Sequence, residues 1–190
     1  MFSELDEARA MLRNAVAGVP ETGWALATPC SDWNVTQVLQ HAALDQLAWA
    51  AAIGGTAMPA DNPFAPTGQL ATAPLAYVTG TLDASAAAWT GISGESLVPT
   101  PLPQGELAPS VAAGAAALDA AIHAWDIAVA TGQGSPLTPA LAKALRPVAE
   151  SIVEPLRQYG AYAAVVELPA GAREDEALLA YLGRRPEWAA

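Results

Sequence analysis

The sequence predicts an all-α helical bundle, and three observations carry that expectation. Alanine is abundant, which favours helices packed closely together. Apolar residues recur at three- and four-residue spacing. Proline- and glycine-rich stretches separate the periodic runs. At 190 residues, 53% of them hydrophobic and 14% charged, the chain is globular and long enough for a sizeable core. No repeat or linker is visible, so residues 1–190 read as one domain.

The first helix is expected from Ser3 to Ala17. Ser3 is placed to cap it, Glu4, Asp6 and Glu7 suit its positive end, and Gly18-Val19-Pro20 stops it. After the loop Thr28-Pro29-Cys30-Ser31-Asp32-Trp33, Asn34 reads as an N-cap with Gln37 as its capping-box partner. This second helix continues through His41, Asp45 and Trp49 to Gly54-Gly55, and residues 56–73 read as a loop. The third, Pro74 to Trp89, carries Leu75, Val78, Leu82 and Ala86 at helical spacing. A proline-rich stretch, Val98 to Pro103, leads to the fourth, Pro109 to Thr131, with Gly132 at its C-terminal capping position. A fifth is expected from Thr138 to Tyr159, kinked or broken at Pro147 and Pro155. Residues 161–168 read as a short strand or as the end of that helix, and a last short helix runs from Arg173 to Leu182.

Charge narrows the function. A net charge of −11 and a pI of about 4.3 oppose binding to nucleic acid or an anionic membrane. The most apolar stretch, Val111 to Ala130, carries Asp119, His123 and Asp126, which argues against a membrane span. A lone Cys30 excludes an internal disulfide, and the N-terminus lacks the basic and apolar regions of a signal peptide. A cytoplasmic location is the expectation. No phosphate-binding glycine motif occurs.

The chain has two histidines, each on an expected helix. Asp119 and His123 are four residues apart, on one face beside the apolar stripe Leu118, Ile122, Trp125 and Val129. His41 lies between Val38 and Leu44 on another helix. Two imidazoles and a carboxylate can hold a divalent metal with positions left open, and facing helices of a bundle commonly supply such ligands. A histidine on an apolar face also serves as a hydrogen-bonded core residue, so spacing alone leaves both readings open. Asp45 and Asp126 are alternative ligands, acceptors that fix a histidine tautomer, or surface charges. Cys30 has no basic neighbour in sequence, which favours a buried small hydrophobe over a nucleophile or fourth ligand. Trp33 and Trp125 are expected in the core rather than in a pocket. Arg184-Arg185 reads as a surface pair.

The segment from Thr28-Pro29-Cys30 through Trp33 and Asn34 to His41 resembles a signature of the actinobacterial branch of the DinB-like metal-binding superfamily. So do His123-Ala124-Trp125-Asp126-Ile127-Ala128 with Ala130-Thr131-Gly132-Gln133, and the tail from Leu178 to Trp188. That branch includes the mycothiol-dependent maleylpyruvate isomerases. The resemblance implies a DinB-like four-helix bundle with additional short helices. It implies a divalent metal, zinc, on His41, Asp119 and His123, with Asp126 behind them. It further implies S-transferase or isomerase-like chemistry between a small thiol such as mycothiol and a small-molecule electrophile. The isomerase pattern has glutamate at the position of Asp119, and it includes a further C-terminal domain that these residues do not supply. Both departures point away from maleylpyruvate isomerisation itself. They leave related thiol chemistry, or a non-catalytic protein that binds metal or a small ligand. A third reading is a dimerising structural bundle, a homodimer with a large apolar surface and an occluded cleft.

Overall fold

The computed structural model describes residues 2–188. The helices are α1 (Ser3–Ala17), α2 (Val35–Gly54), α3 (Pro74–Thr90), α4 (Pro109–Ala130), α5 (Pro139–Gln158) and α6 (Glu174–Tyr181). A 3-10 turn spans Glu21–Gly23, and β1 (Val98–Pro99) pairs antiparallel with β2 (Glu106–Leu107). The all-α class and the order of helices are as the sequence predicts. Helix α4 is the centre: α1 and α2 pack on it, α3 packs on both of those, and the four close a bundle. Helix α5 packs on α4 and carries α6.

Short side chains allow α4 that position. Ala112, Ala116, Ala117, Ala120 and Ala121 are fully buried on it, and larger neighbours such as Leu12, Leu39 and Trp49 fill the space around them. By length and composition α4 could cross a membrane, yet 83% of that stretch is buried within the bundle. A Cβ at Gly114 would lie 2.7 Å from Val148 Cγ2 on α5. Gly114→Ala gains about 1 kcal/mol of helix propensity. The overpacking cost of roughly 1–3 kcal/mol outweighs it, because Val148 is stiff at χ1 and cannot swing clear. Urea unfolding should therefore show a less stable variant, with stability recovered in Gly114→Ala/Val148→Ala.

A buried polar chain ties the four bundle helices together. Arg9 Nη2 donates to Ser85 Oγ at 2.9 Å, Ser85 Oγ donates to Gln46 Oε1 at 2.9 Å, and Gln46 Nε2 donates to the Ala116 carbonyl at 3.0 Å. Each interior hydroxyl or amide is thereby satisfied.

The helix ends follow the sequence in two places and depart from it in others. The capping box forms as expected: Asn34 Oδ1 accepts from the Gln37 N–H and Gln37 Oε1 from the Asn34 N–H, both at 3.0 Å. Gly132, at φ +74°, closes α4, with the Gln133 N–H donating to the Ala128 carbonyl at 2.8 Å. Ser3, by contrast, is not the cap but the first helical residue, and its hydroxyl donates to Glu4. Phe2 takes the cap position because its ring packs edge-on against Trp89, with centroids 5.3 Å apart, and so sets where α1 starts. Helix α5 runs unbroken through Pro147 and Pro155. Both prolines are exposed, as are Lys143 and Ser151 four residues before them, so the freed carbonyls meet water. Residues 161–168 form neither strand nor helix. They run alongside α6, where the Val166 N–H donates to the Ala180 carbonyl at 2.9 Å.

Candidate metal centre

Helices α2 and α4 run in opposite directions, so that His41 meets Asp119 and His123 while Gln46 meets Ala116 further along. Asp119 Oδ1 lies 3.3 Å from His41 Nε2 and 3.4 Å from His123 Nε2. The two imidazole centroids are 4.6 Å apart. One donor atom from each of the three residues falls within 4.8 Å of the other two. The structure thus brings together the trio expected from the sequence, and the aspartate reaches both rings.

The outer nitrogens decide what the inner ones can do. His41 Nδ1 donates to the Pro63 carbonyl at 2.8 Å, and His123 Nδ1 donates to Asp126 Oδ2 at 2.9 Å. A carbonyl and a carboxylate can only accept, so both Nδ1 atoms carry a hydrogen, and in the neutral rings both Nε2 lone pairs face Asp119. Two ring nitrogens and a carboxylate oxygen converging on one point call for a cation there, a proton on an imidazole or a metal ion. Asp119 Oδ2 is buried with no protein partner, which leaves a further donor at the same place. The residues therefore fit a divalent metal. Pro63 belongs to the loop after α2. Gln40 holds that loop, taking the Gly68 N–H on Oε1 at 2.7 Å and donating to the Gln69 carbonyl at 3.1 Å, while Gln37 donates to the Pro66 carbonyl at 3.1 Å. Gln40, and this second role of the capping residue Gln37, went unnoticed in the sequence; their signal is a polar pair at helical spacing beside His41 on an otherwise apolar face.

Behind His123, Asp126 is fully buried and paired with Arg184: Nη2 donates to Oδ2 at 3.1 Å and Nε to Oδ1 at 3.4 Å. The same guanidinium nitrogen donates to Cys30 Sγ at 3.0 Å, and Sγ is 3.3 Å from Asp126 Oδ2. Arg184 is thus a buried structural cation and not half of a surface pair. Cys30 is half-buried with a basic partner, one that lies 154 residues away in sequence. Burial opposes the charge on Asp126, but Arg184 and His123 overcome it and hold the carboxyl at about 2. Burial likewise disfavours the His123 cation, yet Asp119, with hydrogen bonds to Asp119, Asp126 and Cys30, holds it well above the ordinary histidine value. The Asp119 carboxyl lies below the usual range, burial being outweighed by the two histidines.

The trio opens onto a cavity of about 660 Å³. Trp33 packs against the core, as expected, and also lines the cavity, its ring 4.7 Å from that of His41. Thr28 holds the turn that presents Trp33, its hydroxyl bonded to the Trp33 carbonyl at 2.8 Å. Trp125 is buried, as expected. Asp45, one turn beyond His41, also faces the cavity. Its Oδ2 is buried without a partner, and burial, with Asp119 nearby, pushes its carboxyl well above the usual range. Tyr162 and Arg184 complete the wall from the C-terminal third.

Fold and trio together define a helical-bundle protein with a candidate divalent-metal centre. The chain belongs to the family of the mycothiol maleylpyruvate isomerase N-terminal domain, whose model matches residues 5–128. It is similar to two uncharacterized proteins of Mycobacterium tuberculosis, from strains CDC 1551 / Oshkosh and ATCC 25618 / H37Rv. Each is 33% identical over 131 residues, 67% of this chain. The chain spans 65% of the length of these relatives. No solved structure matches it. His41, Asp119, His123 and Asp126 lie inside the family match; Tyr162 and Arg184 lie beyond it.

Proposed function

We propose that the chain is a metal-dependent thiol enzyme, a mycothiol-type S-transferase or isomerase-like protein with its metal on His41, Asp119 and His123. The observation that supports this is the convergence of both Nε2 atoms on Asp119 Oδ1 while both Nδ1 atoms are bonded to acceptors. A zinc ion held there supplies a Lewis acid that stabilises the thiolate of a small thiol. The Pro63 carbonyl and Asp126 keep the two imidazoles in the tautomer that presents Nε2. Trp33 shields His41 from water on the cavity side. The unpartnered oxygen of Asp45 accepts a hydrogen bond from an entering S–H, N–H or O–H group.

Metal analysis of protein purified without chelator tests the reading. Near-stoichiometric divalent metal is expected, lost in His41→Ala, together with chelator-sensitive turnover of a model electrophile by a small thiol. Metal content that is negligible, or unchanged in His41→Ala, rules the centre out. Metal without turnover leaves a metal-binding protein that is not an enzyme.

A further inference from the structure

The cavity wall carries information about the second reactant. Building on the thiol reading above, we infer that the cavity takes an uncharged aromatic electrophile and discriminates against carboxylates and phosphates.

Its volume of about 660 Å³ suits a small molecule alongside a thiol. Five aromatic rings line it: Trp33, Trp49, Phe64, Tyr159 and Tyr162. Trp33 and Phe64 flank His41, with ring centroids 4.7 and 5.9 Å from the imidazole. Phe64 and Tyr159 are 67% and 79% exposed, so the cavity meets solvent through large uncovered rings. Aromatic faces along its lining favour a planar apolar ligand.

Charge on the wall points the same way. Asp32, Asp45 and Asp119 line the cavity, and of the cationic groups among the described residues there, the His123 imidazolium is already paired with Asp119 and the other is Arg184. That guanidinium is already committed to Asp126 and Cys30. A divalent ion on the trio balances Asp119 and one thiolate, with nothing over for an anionic substrate. The net charge of −11 adds repulsion at longer range.

A matched pair of probes isolates the effect: methyl 2-naphthoate and 2-naphthoate share one aromatic body and differ in charge. Equilibrium dialysis against the full chain, metal-free and again after loading with zinc and a saturating small thiol, is expected to show the ester binding at least about ten-fold more tightly in both states, since juxtaposed like charges are costly. Tyr159→Ser, at an exposed position that the fold does not need, weakens the ester several-fold. Asp32→Lys narrows the ratio by favouring the carboxylate. The inference is overturned if the carboxylate binds the metal-free chain as tightly as the ester, if neither probe binds, or if Asp32→Lys leaves the ratio unchanged. The metal-free arm decides this point even when the metal analysis goes against the thiol reading.

Discussion

Asp119→Asn is expected to abolish metal binding while leaving the fold intact. The substitution keeps the size of the side chain and removes its charge, and with it the one anionic donor of the trio. Loss of a group merely behind a metal ligand costs about 10–100-fold in affinity, so loss of this ligand should cost at least about 100-fold. Stability should change little. The Asp119 side chain is 17% exposed, and its protein partners are the two imidazoles it would still face. Competition with a zinc indicator measures the affinity, and circular dichroism on heating measures the fold. Asp119→Glu keeps a carboxylate and should keep the metal. Metal content like that of the native chain in Asp119→Asn would remove Asp119 from the centre.

Arg184→Ala is expected to produce the largest loss of stability. It strands the carboxylate of Asp126, which is fully buried. Breaking a buried pair from one side costs about 3–5 kcal/mol. In a chain of this length that lowers the melting temperature by on the order of 10 °C. Arg184→Met/Asp126→Asn removes both charges and leaves an acceptor for His123, so it should be more stable than Arg184→Met alone. The effect depends on pH. Burial acts to raise the Asp126 carboxyl, yet Arg184 and His123 bring it from 3.8 to about 2. A depressed carboxyl stabilises the fold fully above its unfolded value and loses that contribution as pH falls through the folded one. The gap between native chain and Arg184→Ala should therefore be full above about pH 4 and narrow toward pH 2. A gap that widens in acid would contradict the pairing.

The places where sequence and structure part have local causes. Of the kink or break expected in α5, the break does not form, because both prolines are exposed and the buried face, Leu141, Leu145, Ile152 and Val153, holds the helix to the bundle. The start of α1 moves because a tertiary contact of Phe2 with Trp89 outweighs the capping preference of Ser3. Residues 161–168 have no strand to pair with and settle along α6.

The sequence by itself determined the helices and which candidate ligands share a helix face. Helical spacing is a local property: Asp119 and His123 share a face because they are four apart, and Asn34 with Gln37 caps α2 because they are three apart. Only the tertiary structure decided what surrounds the trio. His41 is fixed by a carbonyl 22 residues away, Asp126 meets Cys30 across 96 residues and Arg184 across 58, and Arg184 meets Cys30 across 154. No periodicity links such positions. They come together because the four-helix core brings the Cys30 turn and the C-terminal segment to the same end of α4. There the buried carboxylate of Asp126 must find a cation beyond His123 on its own helix, and Arg184 supplies it.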